Sequence, residues 1–99
     1  MNEVKLLQNR ISSFGNKIYT ENYAVNGILT EKFQLARKMG IQVFPKIRLP
    51  RQIPVPAIDL SVLFGNLLDN AIKACSVLED KKERIISVFV IYQNRNLMI

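Results

Sequence analysis

Three polar side chains in the second half of the chain have a spacing that suits a polar ligand or a metal ion. Asn66 and Asn70 are four residues apart, and Lys73 follows three residues later. On an α-helix of 3.6 residues per turn, all three fall within an arc of about 60° on one side. Two amides stacked one turn apart are a poor choice for a plain core helix. From the spacing alone, the alternative is that both amides bond solvent or neighbouring backbone.

The helix that must carry these side chains is predicted over residues 59–78, with Asp59 as its N-terminal cap. We expect three faces on it: a core stripe, a polar ligand flank beside that stripe, and a solvent face. Asp69 points away from the asparagines, which favours a structural role. The predicted core stripe consists of Leu60, Leu63, Phe64, Leu67, Ala71, Ala74, Cys75 and Leu78.

A helix and a strand are predicted before this helix. Residues 21–39 read as a helix that Thr20 or Asn22 caps and that Gly40 ends. Its predicted apolar face consists of Val25, Ile28, Leu29, Ala36 and Met39. Residues 41–49 have strand character, and the proline at position 45 favours either the edge of a sheet or a bulge. Three further prolines, at positions 50, 54 and 56, predict an extended connector.

A hairpin is predicted after the helix. The near-continuous apolar run over residues 84–93 indicates a central strand, either buried on both faces or covered by a helix. Residues 94–96 form the tight turn, and residues 97–99 begin a partner strand. This partner strand leaves an unpaired sheet edge, and we therefore interpret the chain as part of a larger domain. An apolar strand with a free edge also favours pairing with a second copy, so self-association is a further possibility.

The charge of the chain is uneven. The net charge is +6, and the stretch from Lys32 to Arg51 holds six basic residues and no acid. Such a stretch suits an acidic protein, a nucleic acid or a polyphosphate, although a solvated surface is the commoner explanation. No recognised nucleic-acid motif accompanies it, so nucleic acid is not an expected partner. A non-catalytic binding module built on this basic face is the second hypothesis.

Composition excludes several kinds of site. The chain contains no histidine, which excludes histidine-based catalysis, histidine metal ligands and a phospho-accepting histidine within it. Its single cysteine, Cys75, cannot form an internal disulfide and is interpreted as a buried thiol in a reducing compartment. No apolar run approaches the roughly 18 residues of a membrane span, so we expect no membrane contact by this segment.

The order of the motifs resembles the first part of the ATP-binding domain of bacterial sensor histidine kinases, in the quorum-sensing and citrate-sensor-like branch. That domain belongs to the GHKL superfamily. Residues 22–32 resemble the helix that opens the domain, residues 36–41 and 58–60 resemble the lead into the nucleotide helix, and residues 66–74 resemble the N box. The resemblance implies an α+β fold, a two-layer α/β sandwich of the Bergerat type, truncated before the ATP lid.

The same resemblance implies ATP and Mg²⁺ as cofactors. It assigns to Asn70 the binding of the Mg²⁺ that bridges the phosphates, and the amide oxygen of this residue is a suitable hard ligand. It places Asn66 near the phosphates and the attacking side, where it would take a catalytic role by orienting phosphate or water. Lys73 would meet the phosphates as a mobile point charge, although many relatives carry glutamate there.

Several parts of the family pattern are absent from the 99 residues. These are the Asp-x-Gly segment that reads adenine, the glycine-rich lid segments and the acceptor histidine. We therefore expect weak or no ATP binding and no phosphotransfer from this chain alone. Residues 1–19 are interpreted as the end of a dimerisation helix region with its linker, and residues 20–99 as the N-terminal portion of the ATP-binding domain.

The a/d spacing of apolar residues over positions 2–14 fits a dimer helix as well as it fits packing onto the domain's own sheet. The parent protein would be a membrane-anchored homodimer with this part in the cytoplasm. It would phosphorylate a histidine on the dimerisation domain, and the phosphoryl group would then pass to a response regulator.

Overall fold

The structure is a computed structural model and describes residues 18–99. Its elements are α1 (Tyr23–Lys38), β1 (Gln42–Arg48), α2 (Ala57–Ser76), a 3₁₀ turn (Lys81–Glu83), β2 (Ile85–Gln93) and β3 (Asn96–Met98). The helix predicted over residues 2–14 and most of the predicted dimerisation region lie outside the described residues. Within the described range, no helix is both long and apolar enough to cross a membrane.

The three strands form one mixed sheet in the order β1-β2-β3. Strands β1 and β2 are parallel, with Gln42 opposite Ile85, and α2 makes the crossover that a parallel pair requires. Pro45 lies in the edge strand β1, as predicted. Strands β2 and β3 form a hairpin in which Gln93 faces Asn96. The hairpin turn has two residues, one fewer than predicted.

The boundaries of α1 follow from local hydrogen bonds. The Asn22 side chain accepts a hydrogen bond from the Val25 N–H at 3.2 Å, so Asn22 is the cap. At the other end, the Ile41 N–H donates to the Ala36 carbonyl at 3.0 Å, while Gly40 adopts a φ of 76°. This is a Schellman ending, and it confirms the glycine predicted as the helix stop.

The start of α2 differs from the prediction. The helix begins at Ala57, with Pro56 in the cap position, and the Leu60 N–H donates to the Pro56 carbonyl at 3.1 Å. Asp59 therefore lies inside the first turn and does not cap the helix. The cap is thus three residues upstream of the predicted one, and the fixed φ of Pro56 is compatible with a helix start. In the first turn, the Asp59 charge still favours the helix dipole.

Both helices pack on one face of the sheet, and their shared core holds the domain together. Side chains of β2 alternate, with Ile86, Val88 and Val90 buried under the helices. Phe89 on the other face is 50% exposed, so only one face of the central strand is covered. The α+β, two-layer fold class is confirmed. The largest fully buried side chains are Phe33, Phe64, Leu29, Leu60, Val25 and Val90.

The chain before α1 is fastened to the rest of the domain by side-chain bonds. The Asn26 Oδ1 accepts from the backbone N–H groups of Tyr19 and Thr20, at 2.7 and 3.3 Å. The buried Thr20 hydroxyl donates to the Leu49 carbonyl at 2.6 Å. These bonds place residues 19–20 beside the end of β1.

A single arginine joins the ends of both helices to β2. The Arg84 guanidinium donates to the Met39 carbonyl at 3.0 Å, to the Leu78 carbonyl at 2.9 Å and to the Ser76 carbonyl at 3.3 Å. Met39 is the C-terminal cap of α1, Ser76 is the last residue of α2, and Leu78 lies two residues beyond it. A positive charge is thus placed at the negative ends of two helix dipoles, where carbonyls lack helical partners.

We expect Arg84→Met to lower the free energy of unfolding by about 2–4 kcal/mol, because partly buried carbonyls lose charged hydrogen-bond donors. Arg48→Met, on the exposed surface of β1, should change it by less than about 0.5 kcal/mol. Urea unfolding of both variants measures the difference. Equal effects of the two substitutions would contradict a structural role for Arg84.

Candidate functional site

The three candidate residues lie on the outer surface of α2. Asn66, Asn70 and Lys73 are all exposed. The buried residues of the helix are Leu60, Phe64, Leu68, Ile72 and Cys75. At about 100° per residue, Asn66 projects from the side opposite the centre of this buried row. The structure therefore keeps the three residues on one side, as predicted, but on the solvent face and not on a flank of the core stripe.

The buried row of α2 is rotated about the helix axis relative to the predicted core stripe. Leu63 and Leu67 are 40% and 41% exposed, while Leu68 and Ile72, which were not in the prediction, are buried. Two apolar rows run along this helix, and the sheet and α1 pack against the row that contains Leu68. The signal was present in the sequence as the i, i+4 series that starts at Leu60.

The two amides are available to a ligand. Side chains one turn apart on a helix have their Cβ atoms about 5–6 Å from each other, so Asn66 and Asn70 can contact the same group. Across residues 18–99, neither amide has a hydrogen-bond partner in the protein. The alternative interpretation was that both amides bond neighbouring backbone or solvent. The described part of the chain shows no bond to neighbouring backbone, whereas both side chains are exposed to solvent.

An apolar border lies beside the polar row. Leu63 and Leu67 expose part of their side chains between the asparagines and the core. Together, the side of α2 offers hard amide oxygens, one mobile cation and an apolar margin. A ligand with a metal-bridged anionic part and a less polar part can contact all three. Sequence reasoning missed this margin because it assigned both leucines to the core.

Asp69 has the structural role predicted for it. Its carboxylate lies 2.7 Å from the Lys32 Nζ and so ties α2 to α1. This hydrogen bond raises the pKa of Lys32 above its ordinary 10.5, against the smaller opposing effect of desolvation. Because the folded pKa is raised, the stability from this pair is complete below pH 10.5 and is lost as the pH rises through the folded pKa.

The six cations between Lys32 and Arg51 do not form the single basic face that the sequence suggested. Lys32 is paired with Asp69. Arg37 donates to the Tyr19 hydroxyl at 3.1 Å and lies 5.9 Å from the centre of the Phe33 ring. Phe33 itself is buried in the core. Since α1 covers one face of the sheet, its cations are separated from those that β1 exposes on the other face.

Two neighbouring cavities near the start of α1 lie away from the candidate residues. One, of about 580 Å³, is bordered by the starts of both helices and the connector around Arg51 and Ile53. A second, of about 420 Å³, lies beside it near Thr20 and Glu21. Neither is lined by Asn66, Asn70 or Lys73. The candidate site in residues 18–99 is thus an open helix face.

We expect Asp69→Asn and Lys32→Met to show a coupling of about 0.5–1 kcal/mol in a double-mutant cycle of urea unfolding at pH 7. Asn70→Ala, one position away and without a partner in the described region, should leave stability within about 0.5 kcal/mol. The coupling should shrink when the cycle is repeated above pH 10.5. A coupling of zero at pH 7 would contradict the ion pair.

A comparison with known families bears on this helix face. Residues 55–99 match the family model described as the GHKL domain. No curated protein and no solved structure matches the chain. The matched segment begins just before α2 and includes Asn66, Asn70 and Lys73. The match supports a GHKL ATPase domain, a kind of domain that binds ATP, generally with Mg²⁺, over the part of the chain that carries the candidate site.

Proposed function

We propose that this chain is part of the Mg-ATP-binding module of a two-component sensor histidine kinase, in the cytoplasmic part of that enzyme. The observation that carries the proposal is the pair of exposed amides one turn apart on α2, without partners in the described region. That pair lies within the segment that matches the GHKL family.

The donors on α2 fit a magnesium ion bound to phosphates. Mg²⁺ keeps several waters and takes phosphate oxygens, so one or two protein oxygens are sufficient to hold it. The Asn70 amide oxygen would supply such a ligand. Lys73, exposed and flexible, would contact the phosphate oxygens as a point charge. ATP bound there would supply the phosphoryl group for transfer.

Asn66 would orient the terminal phosphate or the attacking group. Phosphoryl transfer depends mainly on positioning and on stabilisation of developing charge, and an amide held on a rigid helix can serve both needs. Leu63 and Leu67 would cover one side of these contacts and lower the local dielectric, which strengthens them.

The acceptor of the phosphoryl group must lie outside this chain, because the chain has no histidine. We propose a histidine on a dimerisation domain as the acceptor, followed by the aspartate of a response regulator. The parent would be a membrane-anchored homodimer whose dimerisation region ends within residues 1–19. The alternative, a self-associating or basic-face binding module, is less well supported because the six cations of the basic stretch are separated.

The proposal is tested with a fluorescent ATP analogue and Mg²⁺, titrated into the chain and its Asn70→Ala variant. Because the 99 residues lack the segments that read adenine and cover the phosphates, we expect weak binding that depends on Mg²⁺. Asn70→Ala should weaken it at least tenfold further, which corresponds to about 1.4 kcal/mol. Gln34→Ala, which removes an exposed amide from α1, is the matched control and should bind as the unaltered chain does.

Nucleotide binding that is too weak for this titration is measured by NMR, with Mn²⁺ in place of Mg²⁺. Paramagnetic broadening by Mn-ATP should centre on the side-chain amides of Asn66 and Asn70 and spare that of Gln34. Broadening centred elsewhere, or none at millimolar Mn-ATP, would contradict a metal–nucleotide site on α2.

A further inference from the structure

The sheet face turned away from the helices presents an apolar surface. We call it the outer sheet face. Four of its large apolar side chains are about half exposed: Phe44 at 56%, Met98 at 51%, Phe89 at 50% and Ile85 at 47%. Several large apolar side chains exposed together on one surface usually mark an interaction site.

A groove runs across this face between two phenylalanines. In the strand register, Phe44 lies opposite Ser87, and Lys46 lies opposite Phe89. Neighbouring strands are about 4.8 Å apart, so the small Ser87 side chain leaves a depression between the two rings. The groove has a volume of about 540 Å³, and these four residues line it. It can receive a bulky apolar side chain.

The charges on this face are all positive and lie along one strand. Lys46 and Arg48 are exposed on β1, two residues apart, so their side chains emerge about 6.6 Å from each other. No aspartate or glutamate is present in the three strands. The outer sheet face is therefore apolar across β2 and basic along β1.

We propose that the outer sheet face binds an acidic amphipathic helix of a partner protein. Apolar side chains of that helix fill the groove between Phe44 and Phe89. Two carboxylates one turn apart on the helix, with Cβ atoms about 5–6 Å from each other, match the spacing of Lys46 and Arg48. Amphipathic helices in apolar grooves are a recurrent mode of recognition, and the basic margin sets the orientation of the helix.

Charge argues against two other occupants. In a symmetric pair of copies, the same face is present on both sides, so neither copy supplies a carboxylate from its strands to Lys46 and Arg48 of the other. Residues 1–17 contain three cations and one acid, so that segment is also a poor electrostatic match. The outer sheet face is on the other side of the sheet from α2, so a partner bound there does not cover the nucleotide site.

The test uses an 18-residue helical peptide with leucines on one face and two glutamates at i, i+4 along its flank. A second peptide carries lysines in place of those glutamates. Fluorescence anisotropy measures the binding of each to the full chain. We expect the glutamate peptide alone to bind, and the double variant Lys46→Glu/Arg48→Glu to bind it at least tenfold more weakly.

The most specific test combines the lysine peptide with the double variant, because both charges are then reversed. The lysine peptide should bind the Lys46→Glu/Arg48→Glu variant and not the unaltered chain, which a merely unfolded variant cannot do. Ser87→Tyr fills the groove without removing a core side chain, and it should weaken the binding of the glutamate peptide at least tenfold. Lys82→Glu, the matched reversal of an exposed cation in the 3₁₀ turn, should have no effect.

Other results would overturn the proposal. Absence of binding of the glutamate peptide is one, and binding that is indifferent to the double variant and to Ser87→Tyr is another. A single-stranded oligothymidine, or vesicles with phosphatidylserine, are tested on the same variants. Binding of either probe, lost in the double variant and unaccompanied by peptide binding, would assign the face to nucleic acid or to a membrane instead.

Discussion

The contact between Arg84 and the ends of both helices is the constraint on which the arrangement of the domain depends. The side chain bonds carbonyls at the end of α1 and beyond the end of α2, while its own carbonyl accepts from the Gln42 N–H that opens β1. One residue thus fixes two helices and two parallel strands at a single corner. Because α2 cannot rotate about its axis while its end is held and its buried row is packed, the direction in which Asn66 and Asn70 project is fixed as well.

Local signals in the sequence were sufficient for the elements and insufficient for their rotation. Asn22, Gly40 and the prolines act on adjacent backbone, so each helix and strand was predicted within about two residues of its observed bounds. The phase of α2 depends on which of two apolar rows meets the sheet. That choice is made by the shape of α1 and β2, through contacts that are distant in sequence, and the prediction placed Leu63 and Leu67 in the core.

The candidate site shows the same division. Helical spacing alone places Asn66, Asn70 and Lys73 together, because 3.6 residues per turn leave little freedom. What surrounds them depends on tertiary structure. The pairing of Lys32 with Asp69 and the burial of Phe33 join residues far apart in the chain, and they divide what the sequence presented as one basic stretch. A run of like charges in a sequence need not be a run of like charges on a surface.

The outward position of the asparagines separates chemistry from folding. Neither side chain contributes to the core, to a cap or to an ion pair of the described region. Substitutions at these two positions should therefore change the free energy of unfolding little. A lineage can therefore lose or exchange the ligand of this helix while the scaffold persists unchanged. Among proteins with this fold, the fold alone is therefore a poor indicator of activity. The residues on the exposed side of α2 are a better one.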